Sequence, residues 1–311
     1  TGVRGVSEED VSIAALAVDA ALESKPPGDS VSAAELIGSL DVASGAREAL
    51  LARVEMSAAS AADSIPAESL AKLGHVDDEP SPSLAGGNQA LSTAMAASLG
   101  DQVRLDDPVA AVQWGDGRVE AVSASGRVTR GGACVVAVPA SVLGRIEFSP
   151  PLPESKRAAF CSVRYGHAAK LFVPLAAPAA VSAVMNVPGR YWCWTETGER
   201  DEPMPLLSCF AGSPAALDGL EVTAGPVCWL ESVRSMRPDL ELLADQAILS
   251  TGDDDPWVQA AYSAAPGDGL TDALREPVGP FAFAGEHTAG HYHGLIEGAV
   301  RSGIAAAARF G

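Results

Sequence analysis

The stretch "FAGEHTAGHYHGLIEGAVRSG", residues 283–303, runs from a short apolar segment through a glycine-rich turn into a helix-forming one. A strand that ends in Gly-Glu and re-enters the fold as a helix aims backbone N–H groups at whatever lies against the helix start. Gly294, Gly298 and Gly303 remove side chains where a flat ligand or a strand must come close. The first helical turn carries about half a positive charge, which suits an anionic or electron-rich group. A second reading is a glycine-rich helix packed on a sheet with nothing between them. A third is a metal site, because Glu286, His287, His291 and His293 crowd together. His287 and His291 fall in the turn rather than on a helix, so no metal is expected.

Working outward, "ACVVAVP" (133–139) is a short apolar run, expected as a strand buried on both faces. Before it, "VAAVQWGDGRVEAVSASGRVTRG" (109–131) alternates about two turn signals and predicts an antiparallel meander. "GGNQALSTAMAASLG" (86–100) predicts a turn and a helix, with Leu91, Met95 and Leu99 on one face and Gly100 as its stop. Downstream, "HAAKLFVPL" predicts a strand carrying Lys170, and "RYWCWTE" and "PLLSCFAG" two more. "VCWLESVRSMRPDLELL" reads as a strand-to-helix passage or as a helix, and a final helix is expected from about Leu295 to Arg309. Residues 1–78 read as helices, broken at 24–30 with Ser30 or Ser32 as the next cap, and closed by a polar linker at 75–83. The expectation is a mixed α/β chain in four segments, 1–78, 79–159, 160–254 and 255–311.

A formal net charge of −19 argues against nucleic-acid binding, which needs clustered Lys and Arg. Such a field favours approach of cationic ligands, an amine among them, although acidity also simply serves solubility. No apolar run reaches the roughly 18 residues that span a bilayer, so no membrane is expected. Cys134, Cys161, Cys193, Cys209 and Cys228 are odd in number and widely spaced. They are read as reduced, mostly buried thiols of a cytoplasmic protein. The chain opens with Thr1, a nucleophile in some hydrolases, but nothing else supports that chemistry.

Residues 283–303 resemble the C-terminal flavin-binding motif of the flavin-dependent amine oxidases. That family includes monoamine, polyamine and L-amino-acid oxidases and the flavin-type histone-lysine demethylases. "GGNQALSTAMAASLGDQVRLDDPVAAV", "CVVAVPASVLGRIEFSPPLP", "YGHAAKLFVP" and "DDDPWVQAAYSAAPG" resemble successive further segments, so the likeness runs in order from roughly Gly45 onward. It implies a two-domain architecture, in which a Rossmann-like FAD-binding domain, incomplete here, joins a substrate domain of mixed sheet and helices. Residues 1–78 and 160–254 would belong to the substrate domain, and 79–159 and 255–311 to the FAD-binding domain. It also implies hydride transfer from the carbon beside a neutral amine to flavin N5, hydrolysis of the imine, and reoxidation by dioxygen with release of hydrogen peroxide.

Residue by residue, Lys170 matches the lysine that holds a water near flavin N5; its alternative is a Lys at a strand edge reaching solvent. Val103 matches the position whose backbone meets the adenine, and Glu286, after Gly285, the acid near the ribityl–phosphate region. Ile296 matches the residue whose N–H faces flavin O2, with Leu295 and Ala299 beside it on the cofactor. Tyr262 matches one of two aromatic residues that flank the substrate amine. The second falls at Leu295, and a family tryptophan is replaced by Gly252, which implies a wider or differently shaped substrate pocket. Trp192 and Trp194 offer other aromatic surface that the sequence does not place. Ala261 stands where covalently flavinylated members carry cysteine, so FAD is expected to be held noncovalently.

The first half of such a site is missing from these residues. FAD is held by G-x-G-x-x-G between a strand and a helix, and neither Gly115-x-Gly117, followed by Glu120, nor Gly267-x-Gly269, followed by Asp272, completes it. The expectation is a two-chain, FAD-dependent amine oxidase acting on an amine or amino acid with O2, a hetero-oligomer in which a second polypeptide supplies that motif. A biosynthetic flavoenzyme that dehydrogenates an amino acid or a bulky substrate, and a non-catalytic subunit of the same fold, are the alternatives.

Overall fold

The structure is a computed structural model that describes residues 8–24, 31–73, 84–264 and 268–311. Helices come first: α1 (Glu8–Ser24), α2 (Ala33–Ser39), α3 (Ser44–Ala58) and the single turn α4 (Leu70–Leu73). They pack around Val18, Ile37, Leu50, Val54 and Leu70. Ser32 starts α2 through a capping box: its Oγ accepts from Glu35 N–H at 3.2 Å, and the Glu35 carboxylate accepts from Ser32 N–H at 2.8 Å. The other candidate cap, Ser30, and the linker at 75–83 lie outside the described residues.

Next come α5 (Gln89–Leu99) and the expected meander, β1 (Val109–Gly115), β2 (Arg118–Ser123) and β3 (Val128–Gly131). β4 (Cys134–Val136), α6 (Ala140–Leu143), β5 (Glu147–Ser149) and α7 (Glu154–Cys161) follow. β5 joins β1 in parallel, giving a sheet of order β3-β2-β1-β5.

The larger sheet is built from β6 (Ala168–Pro174), β7 (Ala183–Asn186), β8 (Tyr191–Thr197), β9 (Pro203–Gly212) and β10 (Ile248–Thr251), in the antiparallel order β10-β6-β9-β8-β7. Between β9 and β10 run α8 (Pro214–Gly219) and α9 (Val227–Met236), so the ambiguous "VCWLESVRSM" is helical. Trp229, Leu230 and Val233 of α9 cover one sheet face, formed by Leu171, Val173, Cys193, Leu207 and Cys209. The chain closes with α10 (Asp268–Arg275), β11 (Phe281–Phe283) and α11 (Ile296–Ala308).

Two expectations need correction. The run at 133–139 is not a strand buried on both faces: β4 pairs only with β11 among the described residues, and Val135 is 40% exposed. A parallel strand is covered on both faces only inside a larger sheet flanked by helices, and two strands do not make one. The thiols are free but not mostly buried, since only Cys193 and Cys209 lie in the core, while Cys161 is exposed. Helix α5 forms where expected, yet it buries none of its residues, and Met95 and Leu99 face outward.

Candidate active site

The closing turn is organised by its own backbone. Gly285 N–H donates to Ser302 Oγ at 2.9 Å, which ties the end of β11 to α11. A Cβ on Gly298 would stand 2.0 Å from Tyr292 O and 2.8 Å from Ala289 Cβ, so only glycine lets α11 seat on the turn. Ala299 N–H bonds Leu295 O at 3.1 Å, as the helical ladder requires. The N–H groups of Ile296, Glu297 and Gly298 precede that bond and have no partner within the helix. Leu295, Ile296 and Ala299 are exposed around them, so this helix start opens outward.

Glu286 does more than point at a ligand. Its Oε1 accepts from Ser263 N–H at 3.0 Å, and its Oε2 accepts from Ser263 Oγ at 2.5 Å and from Gly294 N–H at 2.6 Å. One carboxylate thus joins the residue after Tyr262 to the residue before Leu295. Tyr262 is fixed in turn: its Oη donates to Ser57 O at 2.8 Å, and its carbonyl accepts from Gly166 N–H at 2.8 Å. Burial pushes the Tyr262 phenol up to about 12, so it stays neutral. Tyr262, Gly285, Glu286, Leu295, Ile296 and Ala299 therefore gather around one turn. Gly252 sits differently, because a Cβ there would lie 2.1 Å from Ala260 O. The space a larger side chain would enter is filled by returning backbone. Val103 ends the short turn after α5, its N–H donating to Gly100 O at 3.0 Å. It shares no hydrogen bond with the turn cluster among the described residues.

Of the turn histidines, His287 keeps a buried Nε2 with no hydrogen-bond partner among the described residues. His287 is 3% exposed and lies edge-on to Phe160 at 5.8 Å, and burial lowers its pKa. His293 Nδ1 is 2.9 Å from Gly290 O. Among the described residues, no three His, Cys, Asp or Glu side chains are placed to hold a metal ion.

Lys170 lies on β6, between β10 and β9, so it is not at a strand edge. It is exposed on the face opposite the α9-covered core. The register aligns it with Ser250, Phe210, Trp192 and Met185 across the sheet, and the next row on that face is Ile248, Phe172, Ser208, Trp194 and Ala183. Trp192 stacks on Phe210 with centroids 5.7 Å apart. Trp192 and Trp194 thus share a face with Lys170. Phe210, Phe172 and Ser263 went unnoticed in the sequence, because strand register and the 23-residue span from Ser263 to Glu286 leave no local signal. A cleft of about 930 Å³ beside β7 and α9 includes none of Lys170, Tyr262 or Glu286 in its lining.

A model of the family described as flavin containing amine oxidoreductase matches residues 11–310. The chain belongs to that family. It is 28% identical to an L-amino acid dehydrogenase of Synechocystis sp., over 72% of this chain and 50% of that protein. It is 28% identical to a nicotine dehydrogenase of Pseudomonas putida, over 74% of this chain and 47% of that protein. A solved putrescine oxidase with putrescine bound shares the fold, with a TM-score of 0.78 at 21% identity, covering 99% of this chain and 77% of that one. The chain spans about half the length of the curated relatives it matches. Family membership implies a flavin cofactor, and the glycine-cleared turn with unspent N–H groups at the start of α11 fits one edge of it.

Proposed function

We propose that these residues form the substrate-side half of an FAD-dependent amine oxidase site, completed by polypeptide outside them that carries the G-x-G-x-x-G cradle. Separate chain or continuous one, the requirement is the same. The observation that carries this reading is the Glu286 clamp, which sets Tyr262 and Leu295 beside the open start of α11. Bound there without a covalent link, FAD supplies two-electron oxidation of an amine to an imine.

The chain's own residues orient and exclude. Ile296 N–H and the α11 dipole favour negative charge at the flavin edge. Neutral Tyr262 gives the amine an aromatic wall that exchanges no proton, while Lys170 holds a water near the reacting carbon. Val103 serves the adenine through its backbone. Leu295 shapes the pocket without a ring, the place of a ring at Gly252 is closed by Ala260 O, and Trp192 with Phe210 takes over that surface from the sheet side. Free thiols, odd in number, favour a cytoplasmic setting.

The test is anaerobic addition of amines and amino acids to the flavin-loaded protein. Bleaching of the visible flavin band, with peroxide on admitting air, is expected. No bleaching by any amine would sink this reading. A second reading, a dehydrogenase that passes electrons to another acceptor, draws on the two dehydrogenases among the relatives. It predicts the same bleaching, with reoxidation by an artificial acceptor and not by air.

A further inference from the structure

The start of α6 is capped from outside the helix. Pro139 precedes it and makes no side-chain cap, so the Ala140 N–H has no partner in its own helix. It donates instead to Tyr165 Oη at 2.8 Å, 25 residues along the chain. The next residue is tied as well, with Ser141 Oγ donating to Val258 O at 2.6 Å. The strand stretch that receives the first tie also carries Tyr262. Residues 164–166 pair antiparallel with 261–264: Gly166 N–H donates to Tyr262 O at 2.8 Å, Ala261 N–H to Gly166 O at 2.9 Å and Ala264 N–H to Arg164 O at 2.8 Å. Tyr165 itself stands opposite Ser263, the residue held by Glu286.

The topology closes these contacts into a ring. β4 and β11 are parallel, with Val136 beside Phe283, so α6 and the Gly285–Glu286 turn leave the same end of the pair. That end, the carboxyl end of parallel strands, is where α/β folds bind their ligands. From β4 the ring runs through Ala140, Tyr165, Ser263 and Glu286 back to β11. We propose that Tyr165 is a positioning residue for the reaction, whose hydroxyl holds the strand stretch bearing Tyr262 in register with the ends of β4 and β11. This rests on the amine-oxidising reading of the site. Tyr165 acts on the amine through Tyr262, and no reacting atom need touch it.

Tyr165→Phe keeps the ring and removes only the hydroxyl, so amide exchange and amine kinetics of the flavin-loaded protein test the tie. A part-buried N–H that loses its partner shifts its local equilibrium by roughly fivefold or more. Exchange at Ala140 should accelerate to that extent. Exchange at Gly166, Ala261 and Ala264, whose N–H groups do not donate to the Tyr165 side chain, should accelerate with it. Thr195 N–H, bonded to Ser182 O in the large sheet, should keep its rate. KM for the amine should rise roughly threefold or more, and by more than kcat falls. Ser162→Ala, which removes an exposed hydroxyl bonded only to Ala158 O of its own helix, should leave KM where it is. Unchanged exchange at Ala140 overturns the proposal. So does acceleration there with the other three amides and KM unchanged, or an equal acceleration at Thr195, which marks general unfolding. The expected amide pattern without flavin bleaching by any amine would keep the tie to Tyr262 and sink the amine-oxidising reading instead.

Discussion

A carboxylate that takes three hydrogen bonds from two chain segments, with no ion pair to it among the described residues, is committed to holding those segments together. Glu286 is that group, and this structural duty stands beside the cofactor contact that the sequence motif suggests. In Glu286→Gln an amide N–H must face donors that now meet Oε2, at a cost of about 1.5–3 kcal/mol. Amide exchange at Ser263 and Gly294 should accelerate, and KM for the amine should rise more than kcat falls. Unchanged exchange at both amides would show that the clamp is not formed. Lys170, legible as a lone cation on an apolar strand, carries a separate expectation. Lys170→Met should slow flavin reduction or reoxidation at least roughly tenfold in stopped-flow traces, and no effect would remove it from the reaction. Lys156 was not legible at all, being one basic residue of an ordinary helix. Buried on α7, its Nζ donates to Ala273 O at 2.7 Å and Leu274 O at 2.9 Å and sits 4.1 Å from the Phe283 ring centroid. Burial pushes its pKa from 10.5 down to about 8. Below about 8 the buried charge opposes folding in full, and between about 8 and 10.5 the unfolded chain binds more protons, so stability rises with pH. Urea midpoints across that window should rise in the unsubstituted protein relative to Lys156→Met, and parallel curves would refute the shift.

At the scale of elements, the sequence was most readable where local chemistry sets the backbone. The 109–131 meander and the 86–100 helix formed as their turn residues and periodicity require. α11 begins where its glycines place it, and Gly298→Val tests why. A side chain 2.0 Å from Tyr292 O must lift the helix start off the turn. The expected result is a loss of about 1–3 kcal/mol in stability together with lost flavin. Retained flavin at full occupancy would contradict the packing argument. The sequence misled where a strand's burial depends on partners far along the chain. β4 has the composition of a central parallel strand, but its burial is decided by neighbours, and only β11 is beside it among the described residues. The side-chain row of Lys170, Phe210 and Trp192 was invisible for a related reason, since composition does not fix the register of three strands.

The whole molecule shows an asymmetry between its two parts. The large sheet is sealed on one face by α8 and α9, whereas residues 84–159 and 268–311 leave Met95, Leu99, Val135, Leu295, Ile296 and Ile304 facing outward. Exposed apolar groups spread over α5, β4 and α11 offer a surface of the kind that the proposed glycine-rich strand-turn-helix would cover. A native mass spectrum of the protein as it occurs in its source tests this most directly. The account predicts an assembly or chain heavier than 31.6 kDa that releases FAD on unfolding. A lone 31.6 kDa species without flavin would contradict it.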